Sequence, residues 1–206
     1  DGINPPSATN LGDEDGDFNS IGDLDYRDAG ANGVPMITQV YQFNDERWIE
    51  VTNVSKTASV NPNFIKVLLF KDRTGDQTGI LPDASFTLGN TLAPGQSVLF
   101  RNSNNPVRNT TAAAPTPNAI VIENNNLTDI EGANDIVILS NFTDITSWVN
   151  RFDVVQEFDN NTSFVRIDER LTPNDTYTAS EWVVFIDDAI PIFGAQTTPA
   201  NDGRHP

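Results

Sequence analysis

The sequence predicts an all-β protein in which two sheets pack face to face as a sandwich. Apolar and polar residues alternate with period two over several short runs, which is typical of β-strands. These runs are rich in β-branched and aromatic residues, turn residues separate them, and no segment has a convincing helical period. At 206 residues the chain is long enough for one sandwich with a sizeable core, whereas two independent domains would each be thin.

Residues 1–33 form an extended acidic leader with few apolar residues. Carboxylates at alternate positions converge readily on one hard cation, and Ca²⁺ takes six to eight oxygen ligands. The candidate calcium ligands are Asp13, Asp15, Asp17, Asp23 and Asp25. The spacing resembles that of Asp-rich calcium loops, although Phe18 stands where an EF-hand loop has glycine. The alternative interpretation is a solvated acidic linker.

Apolar residues are scattered through the same leader without a period of their own. They are Ile3, Leu11, Phe18, Ile21 and Leu24. One hypothesis is that they dock in a groove of a neighbouring subunit, because adding a strand to an open sheet edge is an economical route to a polymer. The other is that the leader folds back on its own sandwich.

The first hairpin is predicted over residues 36–43 and 47–53, joined by the turn residues 44–46. Strict alternation in both halves predicts strands with one face in water. Residues 64–71 are almost continuously apolar, which predicts a central strand that is covered on both sides. Strand residues follow at 86–88 and 92–100, where Pro94-Gly95 predicts a tight turn that leads into a new strand.

The second half of the chain predicts more short strands. Residues 110–118 are rich in Thr, Ala and Pro and indicate a surface loop. The strands after this loop are predicted at residues 119–123, 135–140, 147–158, 163–168 and 181–186. The sandwich is therefore expected to span residues 34–190, and residues 191–206 form a C-terminal extension.

Several short segments resemble the lamin tail domain family, an immunoglobulin-like sandwich. Glu50 and Asn53 occupy the positions of the family's "IEL-x-N" signature, and the segments at residues 92–98 and 132–139 also match family patterns. Asn161-Thr162-Ser163-Phe164-Val165-Arg166, followed by Glu181-Trp182, is similar to the closing pattern of bacterial extracellular members. The resemblance covers residues 36–186. It implies an immunoglobulin-like fold on an exported protein, and Arg166 is expected to pair with a carboxylate such as Glu50.

The composition excludes several kinds of chemistry. Twelve basic and 29 acidic residues give a formal net charge of −17, which repels phosphate backbones and excludes nucleic acid as a partner. The chain has no Cys, and its one His is His205, so thiol catalysis, a Ser-His-Asp catalyst and multi-His metal sites are excluded. No residue is assigned a catalytic role, although a hydrolase with an Asp/Glu pair is a third possibility.

The aromatic residues have two interpretations. Burial in the core is favoured because aromatic side chains bury large areas, and a sugar-stacking platform is the alternative. The residues concerned are Trp48, Trp148, Trp182, Tyr26, Tyr41 and Tyr177.

The sequence as a whole favours a non-catalytic structural or adhesion module at the cell surface or outside the cell. No stretch approaches the ~20 apolar residues of a membrane-spanning helix, and a chain that begins at Asp1 is expected for an exported protein. We expect protein–protein interaction, with self-association into a filament or matrix through the termini and calcium, or with other surface proteins. The alternative is a calcium-dependent carbohydrate-binding module that recognises glycans.

Overall fold

The computed structural model describes residues 33–43, 45–55, 57–61, 65–102, 120–141, 146–159, 161–167, 170 and 172–186. Within these ranges the chain forms ten strands and one 3₁₀ turn, Ala179–Glu181, and no α-helix. The strands are β1 Pro35–Phe43, β2 Glu46–Asn53, β3 Lys66–Phe70, β4 Ala84–Thr87, β5 Ser97–Arg101, β6 Ile120–Glu123, β7 Ile136–Ser140, β8 Arg151–Gln156, β9 Thr162–Arg166 and β10 Trp182–Ile186. The prediction of an all-β chain is confirmed.

The strands form two sheets. The first has six strands in the order β10-β9-β1-β2-β5-β6, and the second has four in the order β4-β3-β7-β8. Neighbours are antiparallel except β5 and β6, which pair in parallel from Val98↔Ile120 to Arg101↔Glu123. Central β3 lies between β4 and β7, as its apolar sequence predicts.

The core lies between the two sheets. Every second residue of a strand points to the same face, so the inward residues of β1, β2 and β5 meet those of β3 and β7. The buried inward residues of these strands are Ile37, Val40, Ile49, Val51, Val98, Phe100, Val67, Leu69, Val137 and Leu139. Two packed sheets with a common apolar interior are the arrangement of a β-sandwich.

The prediction that β1 and β2 keep one face in water is wrong. Thr38, Glu50 and Thr52 are fully buried on the face away from the core. Thr38 donates a hydrogen bond to Glu50, its hydroxyl lies 2.8 Å from that of Thr52, and Thr52 lies 2.7 Å from the hydroxyl of Ser97. Polar side chains that satisfy one another tolerate burial, so alternation of polar residues did not imply contact with water.

Asn53 joins the end of β2 to three other segments. Its carbonyl Oδ1 accepts hydrogen bonds from the backbone N–H of Val34 (3.0 Å) and of Ser55 (3.2 Å). Its Nδ2 group donates to the carbonyl oxygens of Ala58, Leu92 and Ala93 at 2.8 to 3.0 Å. This buried amide therefore fixes the loops on both sides of the hairpin.

The tight turn before β5 has the predicted chemistry. Gln96 N–H donates to the carbonyl of Ala93 at 3.0 Å, so Pro94 and Gly95 are the two central residues. Gly95 has a φ of +71°, which a residue without a Cβ adopts readily. The turn is held against β2, since Gly95 N–H donates to the carbonyl of Asn53.

Candidate functional site

The residues that the sequence predicts for calcium and for docking lie outside the described residues. This applies to the five calcium candidates, Asp13, Asp15, Asp17, Asp23 and Asp25, and to the five apolar candidates, Ile3, Leu11, Phe18, Ile21 and Leu24. Tyr26 and His205 are also outside the described ranges. Within those ranges, no three His, Cys, Asp or Glu side chains are grouped so that they would hold a metal ion.

The outer strand of the six-stranded sheet, β10, is an apolar strand with exposed side chains. It pairs with β9 over five residues, from Trp182↔Arg166 to Ile186↔Thr162, and no described strand lies on its other side. Val183 and Val184 point to opposite faces of the sheet, yet they are 39% and 50% exposed. The sequence of β10 contains no charge and no proline, which are the features that commonly protect an edge strand.

Each of the other edge strands in the described part of the fold contains polar or charged residues, although β6 has three apolar residues and its Val121 is 40% exposed. β4 exposes Ser85 and Thr87 to solvent. β8 begins with Arg151. The last residue of β6, Glu123, forms an ion pair with Arg101 of β5. The contrast identifies β10 as the edge that is best suited to accept another strand.

An open groove of about 470 Å³ lies on the outer face of the four-stranded sheet, at its β8 edge. We call it the Trp148 groove. Trp148 and Val149 of the turn at residues 146–150 line the groove together with Arg151, Val154 and Gln156. The loops at residues 75–78 and 175–177 contribute the rest of the lining, and we call them its walls. Trp148 is largely buried and packs edge-on against Phe70, with a ring-centroid distance of 5.8 Å.

The charged groups of the groove are held in fixed positions. The Arg151 guanidinium lies 4.3 Å from the centre of the Trp148 ring. Its Nε and Nη1 donate to the carbonyls of Asp175 (2.7 Å) and Trp148 (2.8 Å). Asp76 accepts hydrogen bonds from the N–H and hydroxyl of Thr78, at 2.8 and 2.6 Å, and these bonds lower the pKa of Asp76. Asp76 is therefore ionised at neutral pH.

Asp153, Arg166 and Glu181 form a buried ion cluster between β8 and β9. Asp153 on β8 receives a hydrogen bond from Arg166 Nη1 on β9 at 2.7 Å, and Arg166 Nη2 lies 3.6 Å from Glu181 Oε2. The Arg166 guanidinium also lies 4.4 Å from the centre of the Trp182 ring. The expectation of a carboxylate partner for Arg166 is confirmed, but Glu50 as that partner is wrong. Glu50 points to the opposite face of the sheet, where it bonds to Thr38.

Asp153 connects both sheets through its two carboxylate oxygens. Oδ2 accepts the N–H of Ile37 at 2.7 Å, and Oδ1 accepts the N–H of Asn174 at 3.0 Å. The N–H of Ile37 is next to a β-bulge, where Thr38 is the extra residue of β1. Burial raises the pKa of the Asp153 carboxyl, while Arg166 and these two N–H groups act in the opposite direction.

The preference for core aromatics is confirmed for Trp48, Tyr41 and Trp182, which are all buried. Trp148 is also buried, but it lies under the groove, and half-buried Tyr177 lines it. A second polar cleft lies near Asp45, Arg47, Asp129 and Glu131. There Lys71 forms ion pairs with Asp129 and Glu131, at 2.5 and 3.5 Å.

Comparisons with protein-family models, with curated proteins and with solved structures find no match for this chain. The lamin-tail resemblance therefore rests on the sequence segments alone. None of the described segments forms a helix that is long and apolar enough to span a bilayer.

Sequence reasoning missed Asp153, Asn174 and the Trp148 groove. Asp153 stands in the middle of an apolar strand, Phe152-Asp153-Val154-Val155, and a lone carboxylate in such a run is a signal of a buried ion pair. The groove had no comparable signal, because the turn at residues 146–150 was predicted to be part of a long strand at residues 147–158. The structure starts that strand at Arg151.

Proposed function

We propose that this protein is a non-catalytic module, secreted or attached to a cell surface, that works by protein–protein interaction and self-association. The single observation that carries the proposal is β10, an apolar edge strand with exposed valines on both faces. A second copy that adds a strand there would form backbone hydrogen bonds worth about 0.5–1.5 kcal/mol each. It would also cover part of both valines, which are 39% and 50% exposed, so each contributes less than the roughly 1.5–3 kcal/mol of a fully exposed valine that becomes fully buried.

The proposed architecture is an immunoglobulin-like sandwich of the lamin tail type. The segments that resemble the family support this proposal, because their residues form hydrogen bonds and turns that hold the fold together. Asn53 joins four segments, Pro94-Gly95 makes the turn into β5, and buried Asp135 accepts the N–H groups of Asp72 and Glu131 at the start of β7. Location outside the cell and calcium in the acidic leader are parts of the same proposal, and the acidic composition of the chain supports them.

Self-association is tested by light scattering coupled to size-exclusion chromatography over a wide concentration range, and by electron microscopy of native material. We expect the wild-type protein to form concentration-dependent assemblies. Val184→Lys places a charge on the β10 edge and should shift the protein to monomers.

Leu81→Lys is the matched control, since Leu81 is 59% exposed but lies in a loop outside the strands. This variant should assemble like the wild type. A wild-type protein that is monomeric throughout, or an assembly unaffected by Val184→Lys, would reject the proposal.

A further inference from the structure

We infer that the Trp148 groove binds a neutral oligosaccharide without the help of calcium. This inference is independent of assembly at β10, because the groove lies on the other sheet. The ligand class follows from three properties of the groove, namely its fixed walls, its mixture of donors and acceptors, and the balance of its charges.

The walls of the groove are fixed by hydrogen bonds before any ligand arrives. Buried Gln77 holds the first loop by donating to the carbonyls of Thr74 (3.0 Å) and Gly75 (3.1 Å). In the opposite wall, Asn174 is anchored to Asp153 through its N–H and to Glu181 through its Nδ2 group, at 3.0 and 2.7 Å. A preformed site avoids much of the entropy cost of ordering loops around a ligand.

The polar lining suits a ligand whose groups both donate and accept hydrogen bonds. Asp76 and Asp175 accept, and Arg151 donates. The amide of Gln156 and the hydroxyls of Thr176 and Tyr177 do both. Sugar hydroxyls have this dual character, and the apolar C–H face of a sugar ring matches the exposed side chain of Val149 and the ring of Tyr177.

The charges in the groove disfavour an anionic ligand, which would meet Asp76, Asp175 and a formal chain charge of −17. An organic cation would find the face of the Trp148 ring already covered by the Arg151 guanidinium. A neutral polyhydroxylated ligand satisfies both kinds of group without this repulsion. Calcium is not required, since the described residues contain no group of three carboxylates at the groove.

The test is isothermal titration calorimetry of the full chain with cellohexaose, xylohexaose, mannohexaose and chitohexaose, with and without EDTA. We expect saturable binding of at least one of them, with a Kd of roughly 1 mM or below. Val149→Glu places a bulky charge at a residue that is 62% exposed and should weaken binding at least tenfold. Gln156→Ala removes one amide and should weaken it several-fold.

The matched control is Val121→Glu, because Val121 is a 40% exposed valine on β6 of the other sheet. This variant and Val184→Lys should bind like the wild type, also in EDTA. The inference is overturned if none of the four oligosaccharides binds, if both groove variants bind normally, or if EDTA abolishes binding. It is equally overturned if the protein prefers anionic polygalacturonate or binds only peptides from a tryptic library.

Discussion

At the scale of single residues, the buried charges decide how the edge of the sandwich is held. Asp153 and Arg166 are almost completely inaccessible to water, and each connects a strand to its surroundings. Burying two charges costs several kcal/mol per ion, which their contact at 2.7 Å offsets only while both partners are present. The pair therefore fixes the position of β8 relative to β9 and contributes little net stability.

The corresponding prediction is a double-mutant cycle. Asp153→Asn removes the charge that faces the buried guanidinium of Arg166 and turns an NH2 group toward N–H donors that the carboxylate now accepts. We therefore expect the free energy of unfolding to fall by about 3–5 kcal/mol. Arg166→Met should cost a similar amount, because it leaves the carboxylate of Asp153 buried. The double variant should lose much less than the sum of the two losses. Urea denaturation of the four proteins measures these values, and additive losses would show that the two charges do not interact.

At the scale of elements, the pattern of the chain was enough to predict most strands but not what covers them. Residues 36–53 alternate as a hairpin should, and β1 and β2 are where the pattern predicts them. Alternation reports which side chains share a face, whereas burial depends on what packs on that face. Thr38 and Glu50 tolerate burial because they bond to each other, and such a partner is not visible in a local pattern.

Asn53, the last residue of β2, holds several loops together through the hydrogen bonds of its side chain. In Asn53→Ala, the N–H groups of Val34 and Ser55 and the carbonyl of Ala58 lose the bonds that Asn53 makes to them, so we expect the free energy of unfolding to fall by about 3 kcal/mol or more. The carbonyls of Leu92 and Ala93 also lose their bonds to Asn53, but they keep the N–H groups of Val60 and Gln96. Asn53→Asp keeps the acceptor but directs a carboxylate at the carbonyls of Ala58, Leu92 and Ala93, and it should be at least as damaging.

The control for Asn53 is Asn126→Ala, since Asn126 is exposed in a turn. Its free energy of unfolding should stay within about 0.5 kcal/mol of the wild-type value. Chemical denaturation followed by tryptophan fluorescence gives all three values. A loss below about 1 kcal/mol in Asn53→Ala would contradict the role of this amide as the junction of the loops.

At the scale of the whole molecule, the sequence predicted the two-sheet architecture because strand periodicity and turn chemistry are local properties. The Trp148 groove required the turn at residues 146–150, the loop at residues 75–78 and the segment at residues 175–177 to meet. These segments are up to about 100 residues apart, and their contact depends on the order of strands in the sheets. The sequence pattern named Trp148 and Tyr177 as candidates for sugar stacking, but the groove that they line could not be predicted from it.

The formal net charge of −17 favours the binding of cations such as Ca²⁺, and we expect bound calcium to stabilise the whole chain. If Ca²⁺ binds the native leader and not the unfolded chain, 100 times its Kd in free Ca²⁺ adds about 2.7 kcal/mol of stability. We therefore expect EDTA to lower the melting temperature, and replacement of Asp13, Asp15 and Asp17 by Asn to remove that response.

The control is a double variant, Asp129→Asn with Glu131→Gln, which removes two carboxylates from the polar cleft near Arg47. This variant should keep the response to EDTA. Differential scanning fluorimetry compares the three proteins. If EDTA does not change the melting temperature of the wild type, the calcium site in the leader is rejected. If only the cleft variant loses the response, the calcium site lies in that cleft and not in the leader.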